Sequence, residues 1–319
     1  MANITLKDDR IHVGERFSFT LQRTLRLPDD GKTYPLPPGL GAFPVLRVSD
    51  YEDKVPQQWR EQGGFFVPLY QREALWLQFE GAWWKPNAVK VSVGGINAVS
   101  GETWNEELRN DPQNYIVCPD QPWLDGINIG ESQIRQFVAT PLGLGDTIEE
   151  QLTGSHEWGG LQLQVFEPRP GRFPDQPPAP GPVIFESLAE APAAAGMGIG
   201  AGGRMEQKIY PDSYGLDTWD PASCTQVLIH IVNSEQYFAI TGREPPPSPV
   251  SAQLYSNMKL PWFQLYDEDR ADLPASERLK TVKALQEREL ERGSGEKDSE
   301  NLKIDPDQII HLKNKKKPS

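Results

Sequence analysis

Two groups of carboxylates and one run of glycines hold the residue types that could do chemistry. Asp212, Asp217 and Asp220 fall in the string YPDSYGLDTWD, beside Tyr214 and Trp219. Paired carboxylates cleave glycosides when one protonates the leaving oxygen and the other attacks or activates water. On that reading Asp217 and Asp220 form the pair. His156, in a Gly-bounded turn of the kind that often carries function, is a third candidate. Asp267, Glu268, Asp269 and Asp272 form a second acidic group. It precedes a helix, where negative charge favours the positive end of the dipole. Neither group has the ligand spacing of a calcium loop.

The glycine run Gly198-Ile199-Gly200-Ala201-Gly202-Gly203 satisfies G-x-G-x-x-G. In a dinucleotide site such glycines form the turn after a strand, and a helix N-terminus then holds the pyrophosphate. The surroundings differ here. The preceding EAPAAAGM is no strand, and RMEQKIYPDSY is stopped as a helix by Pro211. Gly198, Gly200 and Gly203 are therefore expected to make a seam of close packing or binding. No Gly-Lys-Ser/Thr follows, so a P-loop is excluded.

Nucleophiles and metal ligands are sparse. Cys118 and Cys224 match no zinc spacing and make no disulfide framework. A thiol enzyme pairing either with His156 or His230 has no local signature. Neither metal nor cofactor is expected. There is no G-x-S-x-G elbow. His230, in TQVLIHIVN, is expected to be a hydrogen-bonded core residue.

The aromatic residues are more distinctive. Nine Trp need a packed interior or a binding surface. Trp76, Trp83, Trp84, Trp104 and Trp123 lie in the N-terminal half. Trp83 and Trp84 sit in an expected turn, where successive extended residues face opposite sides, so one of them should be exposed. An exposed Trp beside a sheet can stack on a sugar or anchor a protein partner.

The elements that must position these residues are mostly strands. RFSFTLQRTLRL (16–27) alternates Phe17, Phe19 and Leu21 with Ser18, Thr20 and Gln22. EALWLQFE (73–80) sets Leu75, Leu77 and Phe79 against Trp76. AVKVSV turns Val89, Val91 and Val93 to one face, and Gly94-Gly95 reads as a hairpin turn. These make a meander, with 81–87 as the turn between its strands. Further strands are expected at 43–48, 114–118, 134–139, 160–166, 183–188, 204–210 and 225–233. A helix begins at Ile148, because Thr147 and Glu150 match a capping box and Gly154 can end it. Asn233 or Ser234 can cap SEQYFAITG, SAQLYSNM follows Pro245-Pro246-Pro247, and Ser276 can cap one helix over ERLKTVKALQERELE.

The fold class expected is α+β and β-rich. An antiparallel meander or sandwich forms the N-terminal half, 1–167. Seven prolines from Pro168 to Pro182 make a Pro-rich linker, 168–182. A mixed C-terminal half, 183–292, adds strands that can join a shared sheet, and ends in helices. Residues 293–319 are expected to be a disordered polar tail. The net charge of −13 disfavours nucleic acid and anionic membranes as partners. Lys313, Lys315, Lys316 and Lys317 are a local, solvated exception. No apolar run reaches the roughly 18 residues of a membrane span. The N-terminus lacks a secretory h-region, so a soluble, cytoplasmic location is expected.

The strings RQFVATPLGLGDTIEEQLTG (135–154), MGIGAGGRMEQKIYPDSYGLDTWD (197–220) and KLPWFQLYDED (259–269) resemble those of a diffuse family of uncharacterised proteins from bacteria and fungi. The likeness spans roughly residues 10–290. It implies that the two halves occur as one unit and carries over no functional residue. The function expected is non-catalytic: a binding, structural or interaction role through exposed aromatics or the Gly-rich seam, with a protein partner or self-association. The alternative is the carbohydrate-directed hydrolase with Asp217 and Asp220.

Overall fold

The computed structural model describes residues 2–130, 132–176, 197–266, 270–293 and 302–313. The expected strand at 183–188, the linker beyond residue 176, the acidic residues Asp267, Glu268 and Asp269, and the lysines from 315 to 317 lie outside the described residues. The protein is α+β and β-rich, as its alternation implies.

A large, mostly antiparallel sheet of 17 strands dominates. Phe17–Thr24 pairs with Ala74–Gly81 along its whole length. Ala74–Gly81 in turn meets Trp123–Leu124 and Gln133–Pro141. Gln133–Pro141 pairs with Met197–Glu206. In a second group, Thr225–Val232 pairs with Leu161–Phe166, which pairs with Asn87–Val93, which pairs with Ile116–Cys118. Met197 opposite Ile231 joins the groups. Phe17, Phe19 and Leu21 share one buried cluster with Leu75, Leu77 and Phe79, with Val89, Val91 and Val93, and with Val227, Ile229 and Ile231. The apolar faces of both groups thus close over a single interior, as period-two alternation requires.

Two turns differ in role. Gly94 and Gly95 both have positive φ, and Ile96 pairs back on Val93, so this hairpin forms as expected. Residues 82–86 are not a hairpin turn. The strands they join pair with different partners, so the segment carries the chain from one group of strands to the other.

Among the helices, Ile148–Thr153 has the expected capping box and a left-handed Gly154. Ser234–Thr241 is capped by Asn233, and Ala252–Asn257 by Ser251. The expected single helix from residue 277 is two: Glu277–Lys280 and Leu285–Glu291. Between them Val282 is buried and Ala284 bridges in parallel to Ala201. Docking on the sheet outweighs the helical propensity of that stretch. Within the expected polar tail, Ile309–Lys313 is a strand parallel to Trp262–Tyr266. Leu302 is buried in the core, and Ile304 and Ile309 pack against it, which gives this polar segment an anchor. Among the described residues, no helix is long and apolar enough to cross a membrane.

Candidate functional site

The Ala74–Gly81 strand turns Leu75, Leu77 and Phe79 inward and leaves Trp76 and Gln78 on its outer face, each half-buried. Trp123 pairs opposite Gln78, and Leu124 opposite Leu77. Trp123 therefore shares the outer face with Trp76, while Leu124 enters the core. Two residues beyond Trp123, Asp125 returns to the same side. Leu36 and Phe263 exchange both backbone hydrogen bonds, at 2.8 and 2.9 Å, which brings Phe263 over this face. Parallel pairing to Ile309–Lys313 adds Leu312.

Between these residues lies a cleft of about 190 Å³, room for a small organic group. Gly39 forms part of its wall; a Cβ there would stand 3.2 Å from the Trp76 ring. Among the described residues, Asp125 is the one charged residue of the lining. It is 5% exposed. Its Oδ2 accepts from Gln207 Nε2 at 2.6 Å, and its own N–H donates to Gln207 Oε1 at 3.1 Å. Oδ1 takes part in no hydrogen bond among the described residues. Burial pushes the carboxyl up to about 7, against a smaller opposing effect of the Gln207 hydrogen bond. No Lys, Arg or His among the described residues pairs with it.

Several other buried titratable groups are matched internally. Glu73 takes the Arg23 guanidinium and the Tyr70 N–H. Glu149 accepts from the N–H groups of Trp158 and Gly159 at 2.9 and 3.0 Å. Lys90 donates to the Asn105 carbonyl, Asn105 Oδ1 and the Glu107 carbonyl. His230 stacks on Trp59 at 4.6 Å, and its Nε2 lies 3.0 Å from the Gly63 carbonyl. Burial lowers its pKa to about 4, so it is a neutral core histidine. Asp125 differs from these in lining a cleft while one of its carboxyl oxygens takes no hydrogen bond among the described residues. Such a group can hold a ligand cation or accept a ligand's hydrogen bond.

No protein-family model, curated protein or solved structure matches this chain. The site stands on its own geometry.

Apart from Trp76 and Trp123, the residues singled out in the sequence lie elsewhere. Asp212 accepts from Tyr115 Oη at 2.6 Å and Trp219 Nε1 at 2.9 Å, and so fastens two buried rings. Asp217 is 74% exposed and paired with Arg172. Asp220 caps the short turn Pro221–Ser223. The three carboxylates have three separate tasks. Asp217→Asn should leave the unfolding free energy within about 0.5 kcal/mol of wild type in denaturant titration, because an exposed pair is worth little. His156 is 57% exposed, with Nδ1 3.5 Å from Glu150 Oε1, and stands on the surface. Of the adjacent indoles, Trp83 is 50% exposed and Trp84 half-buried.

Gly198, Gly200 and Gly203 are not in a turn. They lie inside the buried strand Met197–Glu206, which starts earlier than the expected 204. Antiparallel pairing to Gln133–Pro141 along almost the whole run leaves no strand-turn-helix to hold a phosphate, so the dinucleotide reading ends here. A Cβ on Gly198 would meet Leu142 and Thr147, and one on Gly200 would meet Leu285, all at 2.8 Å. The seam is one of packing.

Sequence reasoning grouped Trp76 and Trp123 only among the aromatics and did not single out Asp125. The available signal was the phase of EALWLQFE and of Trp123-Leu124-Asp125. In each, bulky or charged residues alternate with buried leucines.

Proposed function

We propose that the protein is a non-catalytic binding module that holds a small ligand in the cleft of Trp76, Trp123 and Asp125. The observation that carries this reading is Asp125: a carboxyl almost wholly buried, without a basic partner among the described residues, at an aromatic-lined opening. An ionisable group kept in that setting lowers stability, and such settings cluster at functional sites. The ligand has an apolar body to lie on the indoles and a donor or positive group to reach the Asp125 carboxyl. The cytoplasm is its place of action on this reading; the free thiols Cys118 and Cys224 favour a reducing compartment.

Indole ¹⁵N–¹H spectra test the reading. On adding a mixture of small amines, alcohols and methyl glycosides, the signals of Trp76 and Trp123 should move. Those of the fully buried Trp219 and Trp262 should not. Trp123→Ala should remove the response at Trp76. Shifts confined to Trp83 would overturn the cleft and favour a surface partner at that exposed ring.

A further inference from the structure

The walls of the cleft and its one charge together narrow the ligand class. Trp76, Trp123 and Phe263 supply three rings, with Leu36 and Leu312 beside them. A ring face carries negative partial charge and attracts cations. Asp125 adds a carboxyl that nothing in the described residues neutralises. A neutral sugar would need several donors and acceptors around its ring, whereas the described wall is mostly apolar and aromatic, with the Asp125 carboxyl as its one charged group. The adjoining cleft carries Glu206 and Lys208, which offset each other, but the chain bears a net charge of −13, so the wider field favours a cation.

Resting on the cleft reading, we propose that the ligand is an organic ammonium ion, its substituted nitrogen among the rings of Trp76, Trp123 and Phe263 and its charge met by Asp125. Ligand binding then supplies a cation that the described residues do not. Because burial holds the free carboxyl near 7, binding draws a proton off Asp125, and affinity rises from pH 5.5 to pH 8. The other charged groups near the site are occupied or set apart. On the adjacent strands, Glu73 pairs with Arg23 and Glu80 with Arg10. Arg135 lies on Gln133–Pro141, whose Phe137 N–H donates to the Asp125 carbonyl oxygen at 2.9 Å, and Arg204 and Glu206 lie on Met197–Glu206. Lys208 donates to the Arg270 carbonyl, and Asp272 accepts from the N–H groups of Ser132 and Ile209. His311 is exposed on the strand that brings Leu312. None of them forms an ion pair with Asp125.

Calorimetric titration of the full chain decides the matter, with three probes at matched ionic strength: choline, its neutral isostere 3,3-dimethyl-1-butanol, and methyl β-glucopyranoside. Choline should bind at least about tenfold tighter than the isostere at pH 8. That ratio should shrink towards one at pH 5.5, and in Asp125→Asn at both pH values. Equal binding of choline and its isostere overturns the ammonium assignment and leaves the cleft as a site for neutral ligands. Binding of the glucoside alone does the same. Choline binding unchanged in Asp125→Asn overturns the role of the carboxyl. No heat with any probe, together with unmoved Trp76 and Trp123 indole signals, overturns both the assignment and the cleft.

Discussion

Asp125→Asn should be more stable than the wild type above pH 8. In the unfolded chain an aspartate gives up its proton near pH 4. In the native cleft the same carboxyl keeps its proton up to about pH 7. Between these values the native state binds more protons than the unfolded one, so stability falls as pH rises through that window and is level above it. Asparagine cannot ionise, and its side-chain oxygen can still accept from Gln207. The advantage of the variant over wild type should therefore grow by about 2–3 kcal/mol between pH 4.5 and pH 8.5 in denaturant titrations. A variant less stable than wild type at every pH would show that the carboxylate is a structural support. A gain in stability with a loss of ligand is the usual mark of a site kept for function.

The second large effect concerns the Gly-rich strand. Gly203→Ala should cost about 2–4 kcal/mol of stability, with no specific change in ligand affinity among molecules that remain folded. A Cβ at Gly203 would lie 2.5 Å from the Pro28 carbonyl oxygen and 2.9 Å from Leu27 Cβ. The neighbouring chain cannot retreat easily. Gln136, opposite the irregularity in pairing between Arg135 and Phe137, accepts from the Leu27 N–H at 2.8 Å and donates to the Leu25 carbonyl at 3.1 Å. Glycine lets the 25–28 segment lie directly on the strand, and Gln136 ties it there. At Gly200 the obstacle is the end of the Leu285 side chain, which can shift, so Gly200→Ala should cost less than Gly203→Ala. Thermal or chemical unfolding of both variants checks the order.

The parts of the fold that could be read from the chain are those set by neighbouring residues. Thr147 and Glu150 are three positions apart, so their reciprocal cap is a local event. Gly94-Gly95 encodes its own turn, and Phe17, Phe19 and Leu21 announce their face by alternation. What escaped depends on distant partners. The glycines from 198 to 203 look like a loop by composition, yet they are a strand, because Gln133–Pro141 offers a full ladder and bulky neighbours leave no room for side chains. The stretch after Ser276 has a helical pattern, yet Val282 and Ala284 are drawn onto the sheet and divide it. The cleft was least legible. Trp76, the 123–125 stretch, Gln207 and Phe263 come from four separate places in the chain, and only cross-strand pairing brings them together. No spacing in a linear sequence records that meeting. The carboxylates that did stand close in sequence, Asp212, Asp217 and Asp220, are spread by turns into separate structural roles.

The pH titration of the Asp125 carboxyl carbon by ¹³C nuclear magnetic resonance, in the ligand-free protein, bears most directly on the cleft. A midpoint near 7, absent from the Asp125→Asn spectrum, is the expected result. A midpoint near 4 would mean that the native protein already stabilises the charge, and the case for a ligand that supplies the missing cation would be contradicted.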